Sequence, residues 1–583
     1  MFIFNYNISI TTVSIINLTT MKLPLRILIL SLIFSVHSIQ ISAQYQYRNF
    51  RELSLKSEAL AREFPALCSF KSLVKTAGGK DILVLAIGTG EKDQKPGIAV
   101  LGGIEGNYLA GRELALGFAE NLLRESENPE IKKLLNNLTF YVFPDISPDA
   151  SEQYFAGLKY ERITNSRSTD DDRDFLLDED PYEDLNGDGL ITLIRVSDPA
   201  GTYIESVEDK RIMVIADLSK GQKGSYFVYS EGIDNDKDGK YNEDGPGGVN
   251  ANRNFTFNYE EYGQNTGYHA ISEPETKAVA DFLFDHFNIY STVAFGPQDN
   301  LGQPMKASEK QPEFSGSDQG MGRGMGMGTD RGASREPIDR RITAILKKDE
   351  IINKLVSEKY HEITGIKGAP SATQTPGNFM DWAYYHYGRY SFSTPGWWYP
   401  AEKDKNSEAA FLGFADKNRI TDAFVPWTEI KHPDFPGKKT EAGGIKPFIM
   451  NNPPADTLGD LIYKHYKFIT AVAVMHPELE FIDSKIENTG DNLFRITLKV
   501  HNRGIFATTT EAGSINQWTR IMRMILEPAK GQTLVSGQKI QRIQRLEGGT
   551  TAEFSWLISG KGSVVISAGA INVGTIKTTL ELK

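Results

Sequence analysis

The chain has 583 residues, which is enough for more than one domain, since domains usually contain about 100–200 residues. It carries 75 acidic and 64 basic side chains, so its net charge is −11. Proteins that bind nucleic acid concentrate basic residues on one surface, and this balance excludes nucleic acid as an expected partner. The single cysteine, Cys68, excludes a disulfide framework within the chain and a cysteine-rich metal site.

Residues 1–43 have the layout of a secretory signal peptide. After Met21, which is an alternative start, basic residues precede the apolar run Ile27–Val36, and small residues end at Ala43. The apolar run is shorter than the ~20 residues that a membrane span needs, so we predict cleavage after Ala43 instead of a membrane anchor. A secreted protein without disulfides matches a bacterial periplasm or cell surface. We therefore expect a secreted, periplasmic or surface protein that does not span a membrane.

Residues 45–475 show apolar runs bounded by glycine that alternate with helical segments. The runs include "DILVLAIGTG", "KPGIAVLGG", "NLTFYVFPDISPDA" and "NIYSTVAFGP". This alternation predicts an α/β domain with a mixed, mostly parallel sheet flanked by helices. Within it, residues 314–334 are rich in Gly and Met and are predicted to form a surface insertion.

The segment "LGGIEGNYLAGRE", residues 101–113, begins at the end of one of these apolar runs. A Gly-Gly turn follows the run, then Glu105 and, three residues later, Tyr108. The periodicity of the next residues predicts an amphipathic helix. Many α/β enzymes present catalytic groups on a loop between a strand and a helix, so Glu105 and Tyr108 are candidate site residues.

Two acidic loops, "DLNGDGLI" and "DNDKDGKY", place oxygen-bearing side chains at alternate positions before a turn glycine. This spacing is able to wrap a hard cation, and it predicts a possible calcium site. The alternative is a solvated turn stabilised by its own Asx hydrogen bonds. Neither loop has the glutamate that ends an EF-hand loop. The candidate calcium ligands are Asp184, Asn186, Asp188, Asp234, Asp236 and Asp238.

Residues 476–583 change to period-2 alternation with glycine and asparagine turns. "FIDSKIENTGDNLFRITLKVHNRGIFA" is one example. Several short strands at this spacing predict a β-sandwich of immunoglobulin-like type. The sandwich is expected either to bind a partner or to brace the first domain.

Several motifs occur in a fixed order along the chain: "KPGIAVLGGIEGNYLAGRE", "YVFPDISPDA", "GVNANRNF", "SEPET", "GNFMDWAYYHYGRYSFST" and "GGIKPFIMNNPPAD". Together they resemble the zinc carboxypeptidases of the carboxypeptidase A/B type, in their large secreted bacterial branch. The resemblance covers nearly all of residues 45–583. It implies a carboxypeptidase-like α/β fold with its active site at the carboxyl ends of the central strands.

The resemblance also implies a particular chemistry. In the family, a His and a Glu three residues apart bind Zn²⁺ with a second His, and a water completes the open site. A separate glutamate acts as general base toward that water. An Asn-Arg pair holds the terminal carboxylate of the substrate by charge-assisted hydrogen bonds.

Matched position by position, this chain lacks the groups that bind zinc or activate water. Glu105 stands at the first His and Tyr108 at the Glu ligand, which makes both degenerate zinc-ligand positions. The second His should lie near Phe295 or Gly296, and Pro395 stands at the general base. Zinc is therefore not expected despite the resemblance, and no catalytic residue is assigned.

The substrate-binding part of the pattern is retained. Asn252 and Arg253 match the carboxylate-binding pair. The alternative for Arg253 is a structural ion pair, since arginine usually finds a carboxylate partner. Trp397 and Trp398 are either stacking surfaces for a peptide or core residues.

These observations favour a secreted pseudoenzyme that binds peptide or peptidoglycan-type cell-wall peptide C-termini through Asn252 and Arg253. A first alternative is an active zinc metallocarboxypeptidase with rearranged metal ligands. A second is a structural or adhesive surface protein, in which the calcium loops and the β-sandwich carry the function.

Overall fold

The computed structural model describes residues 45–170, 175–242, 244–308, 342–370, 374–400, 405–516, 518–543 and 545–583. The predicted signal peptide, residues 1–43, and the Gly/Met-rich insertion, residues 314–334, lie outside the described residues. Residues from Tyr47 to Lys583 form one compact unit. None of the helices in the described part of the chain has the length and apolar content that crossing a membrane would take.

The helices in the described residues are α1 (Phe50–Glu63), α2 (Leu109–Arg124), α3 (Pro129–Asn137), α4 (Pro148–Ser151), α5 (Pro274–Asp285), α6 (Lys347–Thr364), α7 (Phe379–Tyr385), α8 (Ser407–Lys417), α9 (Leu458–Val474) and α10 (Glu511–Asn516). The strands are β1 (Cys68–Lys75), β2 (Asp81–Ile87), β3 (Gly97–Leu101), β4 (Thr139–Phe143), β5 (Leu193–Ser197), β6 (Tyr203–Glu205), β7 (Met213–Ile215), β8 (Tyr226–Ser230), β9 (Ile289–Phe295), β10 (Tyr390–Thr394), β11 (Phe424–Ile430), β12 (Thr440–Ile445), β13 (Leu479–Gly490), β14 (Leu493–Asn502), β15 (Met522–Pro528), β16 (Thr533–Ser536), β17 (Ile540–Ile543), β18 (Thr551–Ser559), β19 (Gly562–Ala570) and β20 (Gly574–Leu582).

A six-stranded mixed sheet forms the centre of the α/β region, in the order β1-β2-β4-β3-β9-β10. The four strands β4, β3, β9 and β10 run parallel, whereas β2 is antiparallel to both β1 and β4. Every residue of these four parallel strands is buried. That is why β3, β4 and β9 are mostly apolar runs in the sequence, as expected for parallel strands covered on both faces. The edge strand β10, YSFST, is buried but more polar. The predicted mixed, mostly parallel sheet is confirmed.

In the sequence, Ser272 followed three residues later by Glu275 predicts a capping box that opens a helix, but the start of α5 differs from it. The helix begins at Pro274 with Glu273 as its N-cap, and no side chain caps it. Ser272 Oγ donates to Glu273 instead (2.7 Å), and Glu275 accepts from the Asn165 side chain at 2.8 Å. The capping-box prediction is wrong because the helix begins only at Pro274, the Ser272 hydroxyl bonds to its neighbour Glu273, and Glu275 has a tertiary partner in Asn165.

A second six-stranded sheet, β11-β12-β5-β8-β6-β7, is entirely antiparallel. Its strands come from two stretches of chain, residues 193–230 and 424–445. They meet where β12 pairs with β5, with Thr440 opposite Val196. The sequence did not predict this sheet, because its pairing joins segments far apart in the chain.

Two four-stranded antiparallel sheets make up the C-terminal region, in the orders β13-β14-β18-β16 and β17-β15-β19-β20. One core cluster contains buried residues of both, among them Leu498 and Trp556 of the first sheet and Met524 and Ile566 of the second. This arrangement is consistent with the predicted β-sandwich. Its immunoglobulin-like classification stays a prediction.

Asp349, on α6, links the α/β region to the C-terminal region. Its carboxylate accepts hydrogen bonds from the backbone N–H of Glu511 and from Tyr384 Oη, and it lies 2.9 Å from Arg545 Nη1. The Asp349 and Arg545 side chains are both buried. Loss of one partner in such a buried pair leaves an uncompensated charge, so this contact ties the two regions firmly together.

Candidate functional site

The candidate site lies at the carboxyl ends of three neighbouring parallel strands, β3, β9 and β10. Leu101 at the end of β3 stands opposite Ala294 of β9, and Phe295 of β9 stands opposite Thr394 of β10. The loops that follow these strands carry Glu105, Gly296 and Pro395. The parallel register therefore places the three predicted positions at one edge of the sheet, where ligands bind in open α/β sheets.

The turn before Glu105 is held by a buried ion pair. Gly103 adopts a positive φ of 58°, and a Cβ there would lie 2.3 Å from Asp145 Oδ1. Asp145 Oδ2 lies 2.8 Å from Nε of Arg112, at the start of α2, and both side chains are buried. Only glycine satisfies both the backbone conformation and the space here. The turn, the end of β4 and α2 thus fix the loop that carries Glu105.

Glu105 is partly buried, and its carboxylate points to the Asn252 side chain. Asn252 Nδ2 donates to Glu105 Oε2 at 3.2 Å. Loss of hydration raises the pKa of Glu105, while hydrogen bonds from Asn252 and Asn250 and the charge of Arg253 oppose the rise. The position that holds an imidazole in the family pattern is therefore a carboxyl group in an environment that disfavours its charge.

Asn252 is fully buried and joins Glu105 to the loop after β9. Its Nδ2 also donates to Gln298 Oε1 at 2.8 Å, and its Oδ1 accepts from the backbone N–H of Phe379 at 3.1 Å. Gln298 in turn donates to Thr375 Oγ1 at 3.3 Å. Gln298 was not predicted as a site residue, because no pattern in "GPQDN" distinguishes it. The retained amide of Asn252 thus has partners within the protein.

Arg253 keeps unused hydrogen-bonding capacity. Its Nη2 forms an ion pair with Glu260 at 2.9 Å, and the Glu260 side chain is 51% exposed. Its Nε is buried, and among the described residues it has no hydrogen-bond partner. Buried donors without a partner are rare in proteins, so this one calls for an explanation. The predicted alternative, a structural ion pair, exists but leaves Nε free.

Tyr108 caps the start of α2 and lies in the electrostatic field of two carboxylates. Burial raises the pKa of Tyr108 above its usual range, and the charges of Glu105 and Glu161 raise it further. Glu161 accepts a hydrogen bond from the backbone N–H of Phe448, and loss of hydration raises the pKa of Glu161 as well. Glu161 was missed from the sequence, since it lies outside the recognised motifs.

The donors at this edge of the sheet do not fit a catalytic zinc. Protein zinc sites use thiolate, imidazole and carboxylate ligands. This edge offers the carboxyl groups of Glu105, Glu161 and Asp299, the Tyr108 phenol and the Gln298 amide, and these carboxyl groups do not form a set of three with ligand atoms close together. Gly296 and Pro395 supply no ligand or base. Across the described residues, the one group of three or more His, Cys, Asp or Glu whose ligand atoms lie within 4.8 Å of one another is in the second acidic loop.

An aromatic cavity of about 280 Å³ adjoins the Glu105 loop. Asn452 lines this cavity and connects it to the loop. Its side chain accepts from the backbone N–H of Ala110 at 3.0 Å and donates to the backbone carbonyl of Asn107 at 2.8 Å. Trp397 lines the cavity, whereas Trp398 is buried and donates from Nε1 to a backbone carbonyl. Of the two tryptophans, only Trp397 is placed to contact a ligand.

The two acidic loops share Asx-turn contacts, since Asp234 also accepts from the backbone N–H of Gly239 at 3.1 Å, but they differ in how closely their carboxylates lie. In the first, Asp184 accepts from the backbone N–H groups of Gly187 and Gly189, both at 2.7 Å, as in an Asx turn. The second loop brings ligand oxygens of three carboxylates within 4.8 Å of one another. One carboxylate oxygen of Asp234, Oδ1, is buried and lacks a hydrogen-bond partner in the described chain. The three residues of the second loop are Asp234, Asp236 and Asp238.

A family model described as "Zinc carboxypeptidase" matches residues 56–190 and 224–397, together more than half of the chain. The unmatched residues between the two segments include β5, β6 and β7 of the second sheet. A model described as "Domain of unknown function (DUF8731)" matches residues 478–581, which span the two C-terminal sheets.

Three curated relatives match over short stretches. Carboxypeptidase D of Homo sapiens is 26% identical over 137 residues, which are 22% of this chain and 10% of the relative. Carboxypeptidase E of Caenorhabditis elegans is 29% identical over 111 residues, 18% of this chain and 24% of the relative. Carboxypeptidase Z of Rattus norvegicus is 32% identical over 102 residues, 16% of each. The chain therefore spans less than a quarter of the length of each of these relatives.

Two solved structures match over longer stretches at low identity. A crystal structure of thrombin activatable fibrinolysis inhibitor has a TM-score of 0.40 at 13% identity, and the match covers 74% of this chain and 75% of that one. Carboxypeptidase A from Helicoverpa armigera also has a TM-score of 0.40 at 13% identity, with 73% of each chain covered.

Proposed function

Because the chain belongs to the zinc carboxypeptidase family, we propose that it is a secreted, non-hydrolytic member of that family. It binds the C-terminal carboxylate of a peptide, or of a peptidoglycan-type cell-wall peptide, at the edge formed by β3, β9 and β10. Arg253 holds the carboxylate, and Asn252 keeps the neighbouring Glu105 in place.

The free Nε of Arg253 is the observation that carries this proposal. A guanidinium group binds a carboxylate best through two parallel hydrogen bonds, and Nε with one Nη forms such a pair. Here Nη2 rests on Glu260, whose exposed side chain is held only weakly, since exposed ion pairs contribute about 0–1 kcal/mol. A ligand carboxylate is able to displace Glu260 and also satisfy Nε.

Hydrolysis with rearranged ligands receives no support from the residues at this edge. Peptide hydrolysis at a zinc site needs an open metal position and a base that takes the proton of the attacking water. Among the described residues at this edge, no three His, Cys, Asp or Glu have ligand atoms within 4.8 Å of one another, and Pro395, at the position of the family's base, has no side chain that accepts a proton. The proposed function is therefore peptide binding without hydrolysis.

The proposal is tested by calorimetry with one peptide in two forms, a free C-terminus and a C-terminal amide. We expect the free acid to bind and the amide to bind at least roughly 30-fold more weakly, because a charge-assisted hydrogen bond contributes about 2 kcal/mol. Arg253→Ala should weaken binding of the free acid to the level of the amide.

Glu260→Gln serves as the matched variant, since it keeps the shape of the internal partner but removes its charge. Without that competing charge, the free acid should bind more tightly than it binds to the wild type. Equal affinity of wild type and Arg253→Ala for the free acid would refute the pocket assignment. A cell-wall stem peptide titrated in the same way identifies which of the two peptide classes is preferred.

We also propose that the second acidic loop binds calcium. Three carboxylates whose oxygens lie within 4.8 Å of one another repel each other. Lys240 forms an ion pair with Asp238, and Ca²⁺ would add the charge that offsets the remaining repulsion, since carboxylate oxygens are the ligands that it prefers. Calcium should raise the thermal unfolding midpoint, because a ligand that binds only native protein stabilises it.

Loop-specific variants locate the calcium effect. Replacement of Asp236 and Asp238 by Asn should abolish the calcium-dependent rise in the midpoint. Asp188→Asn in the first loop should retain it, since that loop has Asn186 where the second loop has Asp236 and so lacks a third carboxylate. A midpoint that calcium leaves unchanged in the wild type would contradict the site.

A further inference from the structure

Three arginines line one cavity of about 450 Å³ at the edge of the C-terminal region. Within the described part of the chain, no carboxylate lines this cavity, and its other lining residues are small or uncharged. The lining residues are Gly513, Ser514, Thr519, Arg520, Ile521, Arg523 and Arg542.

Two of these arginines stand directly opposite each other. Arg523 of β15 is the register partner of Arg542 of β17, and both side chains are exposed. Like charges directly opposite on neighbouring antiparallel strands destabilise a sheet. The requirements of the fold therefore do not explain this pair.

The third arginine is held in place by an aromatic ring. The guanidinium carbon of Arg520 lies 3.9 Å from the centroid of the Phe287 ring. This stacking fixes the side chain but leaves its N–H groups available, since a guanidinium stacks through its face and donates from its edge. Arg520 thus contributes a positioned positive charge to the cavity.

None of the three arginines forms an ion pair or a side-chain hydrogen bond with a residue in the described ranges. Arg545 shows the contrast, because it pairs with both Asp349 and Glu547. The chain as a whole is acidic, at −11, so carboxylates are plentiful. A cluster of unpaired guanidinium groups in such a chain creates a local positive potential that attracts anions.

We propose that this cavity binds a phosphate or sulfate ester group carried on a larger molecule. Each guanidinium has five N–H donors. A phosphate or sulfate ester has three terminal oxygens, one for each guanidinium, whereas a carboxylate has two. The volume of about 450 Å³ leaves room for part of the carrier molecule next to the charged group. This cavity does not include Arg253, so the proposal of an ester-binding site is independent of the proposed peptide binding.

Calorimetry on the full chain tests the proposal with three probes that share one sugar skeleton: glucose 6-phosphate, glucose 6-sulfate and glucuronate. We expect at least one ester to bind, and glucuronate to bind about tenfold more weakly or worse, since it offers fewer acceptor oxygens. The tighter of the two esters identifies phosphate or sulfate as the natural group. Added salt should weaken binding, because exposed charges are screened.

Arg523→Ala and Arg542→Ala should each weaken ester binding about tenfold or more. Arg495→Ala is the matched control, because Arg495 is also an exposed strand arginine but lies on β14 of the other sheet. It should bind the esters like the wild type. Without a probe, removing either member of the Arg523–Arg542 pair should leave the melting temperature unchanged or raise it, since repulsion is relieved.

Several results would overturn the proposal. These are no binding of either ester, binding of glucuronate as tight as the esters, or unchanged ester affinity in Arg523→Ala and Arg542→Ala. A lower melting temperature of these two variants without any probe would also count against it, because it would assign the arginines a structural role.

Discussion

Glu105 is a position at which this chain departs from the zinc-binding pattern of its family. A carboxyl group replaces an imidazole at this position, and it is held by Asn252, one of the two retained carboxylate-binding residues. Around it lie the charge of Arg253 and the carboxyl group of Glu161. The state of charge of Glu105 therefore affects both the stability of the fold and the entry of a second carboxylate.

The raised pKa of Glu105 predicts a particular pH dependence of stability. A group whose pKa is higher in the folded than in the unfolded protein stabilises the fold while it is protonated, and that contribution is lost as the pH rises. Glu105→Gln keeps a hydrogen-bond acceptor for Asn252 without a titratable charge. Its stability relative to the wild type should increase from about pH 4, the ordinary pKa of a glutamate, toward neutral pH.

Urea unfolding of both proteins across this pH range measures the difference. Glu127→Gln, at an exposed position, is the control and should change stability little at any pH. A stability difference between Glu105→Gln and wild type that stays constant with pH would show that Glu105 is not disfavoured as an anion. Binding of the free-acid peptide should also weaken as Glu105 becomes charged, and Glu105→Gln should remove that trend.

At the scale of elements, the turn between β3 and α2 determines where the site residues lie. Gly103 needs a positive φ and leaves no space for a Cβ beside Asp145. The Arg112–Asp145 ion pair, buried on both sides, fixes the turn from the helix and from the end of β4. A substitution in this turn should therefore displace Glu105 even though Glu105 itself is unchanged.

Gly103→Ala should lower the free energy of unfolding by roughly 3 kcal/mol, from the left-handed backbone and the clash together. Gly79→Ala is the matched control: Gly79 also has a positive φ, of 77°, but nothing lies within 4 Å of its Cβ position. Gly79→Ala should lower the free energy of unfolding by only about 1–2 kcal/mol. Equal costs in the two variants, measured by chemical unfolding, would argue against a packed turn at Gly103.

The sequence predicted those elements that depend mainly on residues close together in the chain. The apolar runs bounded by glycine became the antiparallel strand β2 and the parallel strands β3, β4 and β9, since a strand buried on both faces has a nearly continuous apolar sequence. Motif order also placed Glu105, Asn252 and Pro395 at one edge of the sheet. Gln298 could not be found in this way, because its contact with Asn252 depends on the register of β9 beside β3.

At the scale of the whole molecule, what the sequence missed depends on pairing between distant segments. The second antiparallel sheet exists because β12 returns to β5. The arginine cavity exists because β17 aligns Arg542 with Arg523. No local sequence pattern predicts either strand register, so both registers are known only from the folded structure. The predicted family, by contrast, rests on motifs that are each local, and it is confirmed.

The central claim is that this member of the zinc carboxypeptidase family has given up its zinc centre and kept a carboxylate-binding site. Elemental analysis of the full chain, purified without chelators, tests it most directly. We expect far less than one zinc atom per chain, because Glu105, Tyr108 and Gln298 do not form a zinc ligand set. One zinc atom per chain, together with chelator-sensitive release of C-terminal residues from a peptide, would contradict it.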